Sequence, residues 1–267
     1  MGETLKVPGA TLYYETSGSG PLLLFIGGGT SDTSHYDLVR GHFEDRHTVV
    51  RYDRRGNSRS LLDGEPHPQR IEVHGDDAAA LVEHLGRGPA DVFGSSSGAL
   101  VAVDLVARRP DLLRRAVAHE APAFTLTPER AENLAFLRVA LAEFERGGVA
   151  AGMAVFANGS GPAEDDPDSP PEARAAAARI AANGAFFFRH EMMSFVDYEP
   201  DLAALAANSA HLFPAVGEDS VDTPPTRATT ILAEKTGTGV SVFPGGHVGY
   251  LSHARQWARR LDEMLHA

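Results

Sequence analysis

The stretch that most constrains this chain is Gly94-Ser95-Ser96-Ser97-Gly98, set between the apolar run Val92-Phe93 and a helix-like run over residues 99–109. On composition alone, a glycine/serine pentapeptide could be a flexible linker. At the hand-over from strand to helix it reads instead as a sharp turn of the G-x-S-x-G type. Small residues on either side let the backbone turn tightly and let Ser96 take a strained conformation at the tip. The helix that follows points its first N–H groups back toward the serine.

The rest of the chain supplies the strands and helices such a turn needs. Residues 5–7 and 11–16 alternate as two strands joined at Pro8-Gly9, and Gly18-Ser19-Gly20-Pro21 ends the second. Residues 21–26 are continuously apolar, as in a strand covered on both faces of a parallel sheet, and run into Gly27-Gly28-Gly29. A short helix is expected over 36–43, a buried strand over 47–52, and a helix over 71–85 with Asp76 and Asp77 in its early polar part. Then come a strand over 90–94, a helix ending at Arg109-Pro110 and a strand through Ala116-Val117-Ala118. This alternation predicts an α/β fold with a mostly parallel central sheet and helices on both faces, because parallel neighbours need crossover connections.

The rhythm breaks after Glu120. Residues 124–207 are helical in pattern. Thr127-Pro128-Glu129 is expected to open one helix with a cap residue, a proline in the first turn and an acid near the dipole. A second, alanine-rich helix covers 172–182, and the proline-, glycine- and acid-rich residues 159–171 between them read as a mobile loop. Strand and helix alternate again over 212–216, 225–236, 240–243 and 254–265. The expected organisation is a core of residues 1–122 and 209–267, with residues 123–208 inserted as a helical lid.

A serine hydroxyl is a poor nucleophile near neutral pH, so the turn calls for a histidine base and an acid to orient it. His247 lies in Pro244-Gly245-Gly246-His247, just after the last strand, where a loop can carry its imidazole to the sheet edge. Gly28, after an early buried strand, could offer a backbone N–H that, with that of Ser97, forms an oxyanion hole. In this reading Ser97 acts through its backbone and not its hydroxyl. Three carboxylates compete for the acid: Glu120 directly after the strand that follows the turn's helix, and Asp219 and Asp222 later in the chain.

Composition narrows the partners. With 36 acidic and 24 basic residues the net charge is −12, which repels nucleic acid phosphates and anionic membranes. The absence of cysteine rules out a thiolate nucleophile, and no motif calls for a metal or organic cofactor. The first residues lack the basic and apolar segments of a signal peptide, so a cytoplasmic location is expected, with a homodimer left open. Gly29, Phe187, His190, Met192 and Met193 are candidates for substrate contact, and the large apolar side chains among them suit a hydrophobic small molecule.

These features resemble the α/β-hydrolase fold superfamily over nearly the whole chain. Asp53-Arg54-Arg55-Gly56-Asn57-Ser58-Arg59-Ser60 is similar to that superfamily's D-x-R-G-x-G-x-S segment but departs from its second glycine; the arginines at 51, 54, 55 and 59 read as structural. The superfamily's usual acid is the last residue of a G-x-x-D after the penultimate strand, where Gly217-Glu218-Asp219-Ser220 places a serine. Gly94 to Ala99, His119-Glu120-Ala121-Pro122, Ser58-Arg59-Ser60 and Tyr250-Leu251-Ser252-His253 resemble the fungal zearalenone lactonases. That resemblance implies a triad of Ser96, Glu120 and His247 that cleaves a carboxylic ester or lactone. The lid tryptophan of those enzymes has no counterpart, since the single tryptophan, Trp257, lies in the last helix. A carbon–carbon bond hydrolase, a cofactor-free perhydrolase and a ligand receptor with the same fold are the alternatives.

Overall fold

The computed structural model describes residues 2–157 and 170–266. Its sheet contains β1 (Gly2–Val7), β2 (Ala10–Gly18), β3 (Leu22–Ile26), β4 (Thr48–Tyr52), β5 (Leu61–Leu62), β6 (Ala90–Ser95), β7 (Leu113–His119), β8 (Leu212–Gly217) and β9 (Ser241–Phe243). The spatial order is β1-β2-β4-β3-β6-β7-β8-β9, with the short β5 paired to β2. β1 and β2 are antiparallel to their neighbours, and from β4 to β9 all pairs are parallel.

The period of two in the strands sends side chains into two cores. Leu22, Leu24 and Ile26 of β3 face α2 (Ile71–Leu85) and α3 (Ser97–Arg108), whereas Leu23 and Phe25 face the opposite layer. That second layer consists of α1 (Asp37–Arg40), α9 (Gly249–Ser252) and α10 (Ala254–His266). Trp257 of α10 is fully buried there and meets the Phe93 ring edge-on at 4.7 Å. Because both faces are covered, the central strands are mainly apolar, β3 without interruption, which is why they were legible as runs.

Between β7 and β8 the chain leaves the sheet. It forms α4 (Arg130–Phe156), α5 (Pro171–Phe186), a π-helical turn Phe187–Glu191, α6 (Met192–Phe195) and α7 (Leu202–Ala207) before returning to β8 and then α8 (Pro224–Thr236). Phe188 stacks on Phe144 of α4 at 4.9 Å, which ties the π-helical turn to the long helix.

Three local expectations needed adjustment. The helix expected over 36–43 is a 3-10 turn, Thr33–Tyr36, capped by Asp32, followed by the four residues of α1. Thr127 does not cap α4: its hydroxyl bonds the Phe124 carbonyl at 3.0 Å, and the helix begins at Arg130. Asp77 is not on a polar face but is buried against Arg55, paired through both oxygens at 2.6 Å. The proline-rich loop expected over 159–171 lies, for residues 159–169, outside the described residues. No helix among the described residues is long and apolar enough to cross a membrane.

Candidate active site

The strand–turn–helix expected at residues 94–98 is formed by the end of β6 and the start of α3. Ser96 sits between them at φ 56 and ψ −124, a conformation that L side chains avoid and that persists only where the surroundings enforce it. Part of that enforcement is steric. A Cβ on Gly98 would lie 2.2 Å from the Ile26 carbonyl oxygen, so the helix can start this close to β3 only with glycine there. The backbone also holds the turn from the other side, where the Ser96 N–H donates to the His119 carbonyl at 2.9 Å.

Glu120 follows β7 and also has a positive φ, 51. Its N–H is bonded to the Ala215 carbonyl of β8 at 2.8 Å, and the kink turns the side chain along the sheet edge instead of into the next connection. One carboxylate oxygen accepts the Gly217 N–H at 2.9 Å, and the other bonds His247 Nδ1 at 2.5 Å. The Glu120 side chain is 1% exposed, whereas that of His247 is 41% exposed. Burial alone would raise the Glu120 pKa, but the hydrogen bond and charge of His247, helped by His119 and the Ser220 hydroxyl, bring it down to about 2. The imidazole therefore faces a permanent carboxylate, which fixes its orientation and favours a proton on Nδ1.

Asp219 and Asp222, the competing acids, are exposed. Among the described residues Asp219 is bonded through its backbone, its N–H donating to the Gly245 carbonyl at 3.1 Å. The neighbouring Glu218 accepts the Gly245 N–H at 3.2 Å and so braces the loop that carries His247. The Ser96 hydroxyl and His247 are not hydrogen-bonded to each other among the described residues; in ligand-free hydrolytic sites that contact often tightens only with substrate.

The early glycine loop lies directly against the serine turn. A Cβ on Gly28 would come within 2.7 Å of Ser96 Cβ and 3.0 Å of Ser97 N, so the Gly28 backbone and the Ser97 N–H share one spot beside the serine. As the first residue of α3, Ser97 has no intrahelical partner for its N–H. Its hydroxyl is employed as well, contrary to expectation: it accepts the Gly29 N–H at 3.0 Å and pins the loop.

The other candidates for substrate contact are scattered. Phe187 and Met192 are 4% and 2% exposed, packed between the insertion and the core. His190 lies half-exposed with its ring 5.1 Å from that of Phe186. Met193 lines a cavity of about 540 Å³ together with Leu141, Phe144, Gly148, Phe188 and Arg189; no triad candidate lines it. Gly29 alone among the five adjoins the serine turn, at φ 50 with open space where a side chain would be.

A strained serine, a buried glutamate bonded to a histidine, and a glycine loop meet at the carboxyl ends of parallel strands. Compared with known proteins, residues 23–260 match the alpha/beta hydrolase family. The chain belongs to that family. It is 34% identical over 268 residues to an uncharacterized hydrolase, YraK, of Bacillus subtilis, covering 98% of this chain and 95% of that one. It is 31% identical over 135 residues to a zearalenone hydrolase of Cladophialophora bantiana, 49% of either chain. Among solved structures, a thermophilic esterase from Thermogutta terrifontis superposes with a TM-score of 0.75 at 21% identity, covering 99% of this chain and 98% of that one.

Within this hydrolase the departures from the family pattern become intelligible. Ser58, where the family pattern has its second glycine, takes the left-handed conformation at φ 50, its N–H held at 2.7 Å by Asn183 of the insertion. Ser220, in the slot of the usual acid, is buried, and its hydroxyl helps to hold the Glu120 pKa down. The sequence signalled this site only as a missing aspartate. Tyr250, quoted in the sequence only for a resemblance, is buried against the Tyr36 and Trp257 rings, and burial pushes its pKa up to about 12. The four arginines expected to be structural are all ion-paired. Arg51 pairs with Glu15 at 2.6 Å and with Asp37, Arg55 with Asp77, Arg59 with Asp53 at 2.7 Å, and Arg54 with Glu191 at 2.6 Å.

Proposed function

We propose that the protein is a serine hydrolase that cleaves a carboxylic ester or lactone of a hydrophobic small molecule through an acyl-enzyme. The observation that carries this reading is the Glu120–His247 bond of 2.5 Å, formed by a buried carboxylate at the strand end next to Ser96. A glutamate held at a pKa of about 2 serves as an orienting anion, not as a proton acceptor, over any working pH.

In the proposed reaction His247 takes the Ser96 proton as the hydroxyl attacks the carbonyl carbon. Glu120 holds the imidazole and stabilises its charged form. The oxyanion is received by the N–H groups of Gly28 and Ser97, each worth roughly 3 kcal/mol of transition-state stabilisation. His247 then protonates the leaving alkoxide, and water repeats the sequence on the acyl-enzyme. In a lactone the alkoxide stays tethered to the acyl group. The similarity to a zearalenone hydrolase over half the chain supports the choice of ester chemistry. The helical insertion would act as the lid.

The test is labelling of the purified protein by a fluorophosphonate, alongside turnover of model esters and lactones. Ser96→Ala is expected to abolish labelling and to lower kcat by about a millionfold. Near-normal hydrolysis by that variant would sink the assignment.

A further inference from the structure

In the segment Asp53-Arg54-Arg55-Gly56, the arginine of the family pattern is Arg55, which pairs with Asp77, while Arg54 occupies a variable position. Yet Arg54 is 1% exposed and makes the bond that joins two parts of the molecule. Its guanidinium forks onto both oxygens of Glu191, at 2.6 and 3.0 Å, and also donates to the Gly29 carbonyl in the loop beside Ser96. Glu191 comes from the π-helical turn of the lid, is 0% exposed, and accepts a further bond from Asn57 at 2.9 Å. A fully buried ion pair is a poor way to gain stability, because desolvation cancels much of the attraction. What it supplies well is fixed geometry, and here that geometry ends on the carbonyl of the Gly29–Thr30 peptide, in the same short loop that carries the Gly28 N–H.

The same loop is gripped twice more from the lid. Arg179 of α5 donates to Asp32 at 2.7 Å, and Asn183 donates to the Thr30 carbonyl at 2.9 Å. On its opposite side the loop is tied to the serine turn by the Gly29 N–H and Ser97 hydroxyl. Residues 29, 30 and 32 are thus held by three lid side chains, one of them through Arg54.

We propose that Arg54 is a positioning residue: with Glu191 it seats the Gly29 peptide, and so aims the Gly28 N–H at the oxyanion only while the lid is docked. Lid seating and oxyanion-hole geometry are then a single state. The inference rests on the hydrolase reading above.

The deciding variant is the double replacement Arg54→Met/Glu191→Met. It leaves no unpaired buried charge and so keeps the fold, but removes the donor to Gly29. Its urea midpoint, its kcat and KM on an ester or lactone, and its rate of fluorophosphonate labelling are compared with wild type. The expected result is a folded protein with KM within a few-fold, and kcat and labelling both down roughly 100-fold, the cost of a displacement of about 1 Å. A purely structural ion pair predicts wild-type kcat and labelling, and that result overturns the proposal. Should the double variant fail to fold, Arg54→Lys carries the test: it keeps the charge against Glu191 but cannot span both the Glu191 carboxylate and the Gly29 carbonyl. It is expected to lower kcat and labelling several-fold with KM unchanged, and unchanged values overturn the proposal. A wild-type protein that is labelled but cleaves neither ester nor lactone removes the proposed substrate class and leaves the labelling ratio to decide on Arg54. An unlabelled wild type removes both.

Discussion

Two neighbouring strands, β7 and β8, end in loops that both carry acids, yet only one acid reaches the histidine. After β7, Glu120 is buried, sits at a positive φ, and has both oxygens bonded. After β8, Glu218 and Asp219 are exposed; the first braces the histidine loop and the second is held through its backbone. The β8 loop nonetheless serves the acid: Gly217 donates to Glu120, and the hydroxyl of buried Ser220 favours its charged form where the family pattern has a carboxylate. A second carboxylate at Ser220 would face Glu120 at close range and raise the pKa of one of the pair. The two loops have in effect exchanged the roles of anion and donor.

Four measurements test this division of roles between the two loops. The largest effect is expected for Glu120→Gln, which keeps the shape but removes the charge and the tautomer control; kcat should fall by about 10⁴ with little change in the folded structure. If Glu120→Gln keeps activity and Asp219→Asn loses it, the β8 loop carries the acid after all.

Next in size is a pH effect on stability at the end of β7. His119 is 0% exposed, and burial drives its pKa down to about 4 from an ordinary 6.5. Below pH 6.5 the unfolded chain takes up a proton that the folded one refuses until pH 4. Stability is therefore lost as pH falls through that window, by about 3 kcal/mol. Glu120 works in a lower window: its contribution is complete above pH 4.5 and is lost as pH falls toward 2. Urea midpoints measured from pH 7 to pH 4 should fall less steeply in His119→Phe than in wild type, and an identical slope would show that His119 is protonated in the fold.

A smaller change is expected for Ser220→Ala. Loss of the hydroxyl that favours the Glu120 anion, worth about 1.5 kcal/mol if it acts as a charge-assisted donor, should lower kcat about tenfold with KM unchanged. Steady-state kinetics with an effect on KM alone would move Ser220 from the acid to the substrate. Smallest is Asp219→Asn, expected to change kcat less than about twofold, as for an exposed substitution away from the site.

The sheet, the serine turn and the loop that carries His247 were readable from residue order alone. Strands buried on both faces must be apolar along their whole length, and a serine between close-packed backbones needs small neighbours; both demands are written as local patterns. The helix Ile71–Leu85 was legible to the residue for the same reason. What local pattern does not encode is which of several acids a fold brings to one imidazole. Residues 120, 217 and 247 meet because β7, β8 and β9 are adjacent in the sheet, and the choice of Glu120 follows from its burial and its left-handed backbone. The lid was less legible still. Glu191 and Arg54 are far apart in the chain, and a buried pair of opposite charges looks in sequence like two solvated residues. Only their exclusion from water, which the tertiary structure decides, makes them partners.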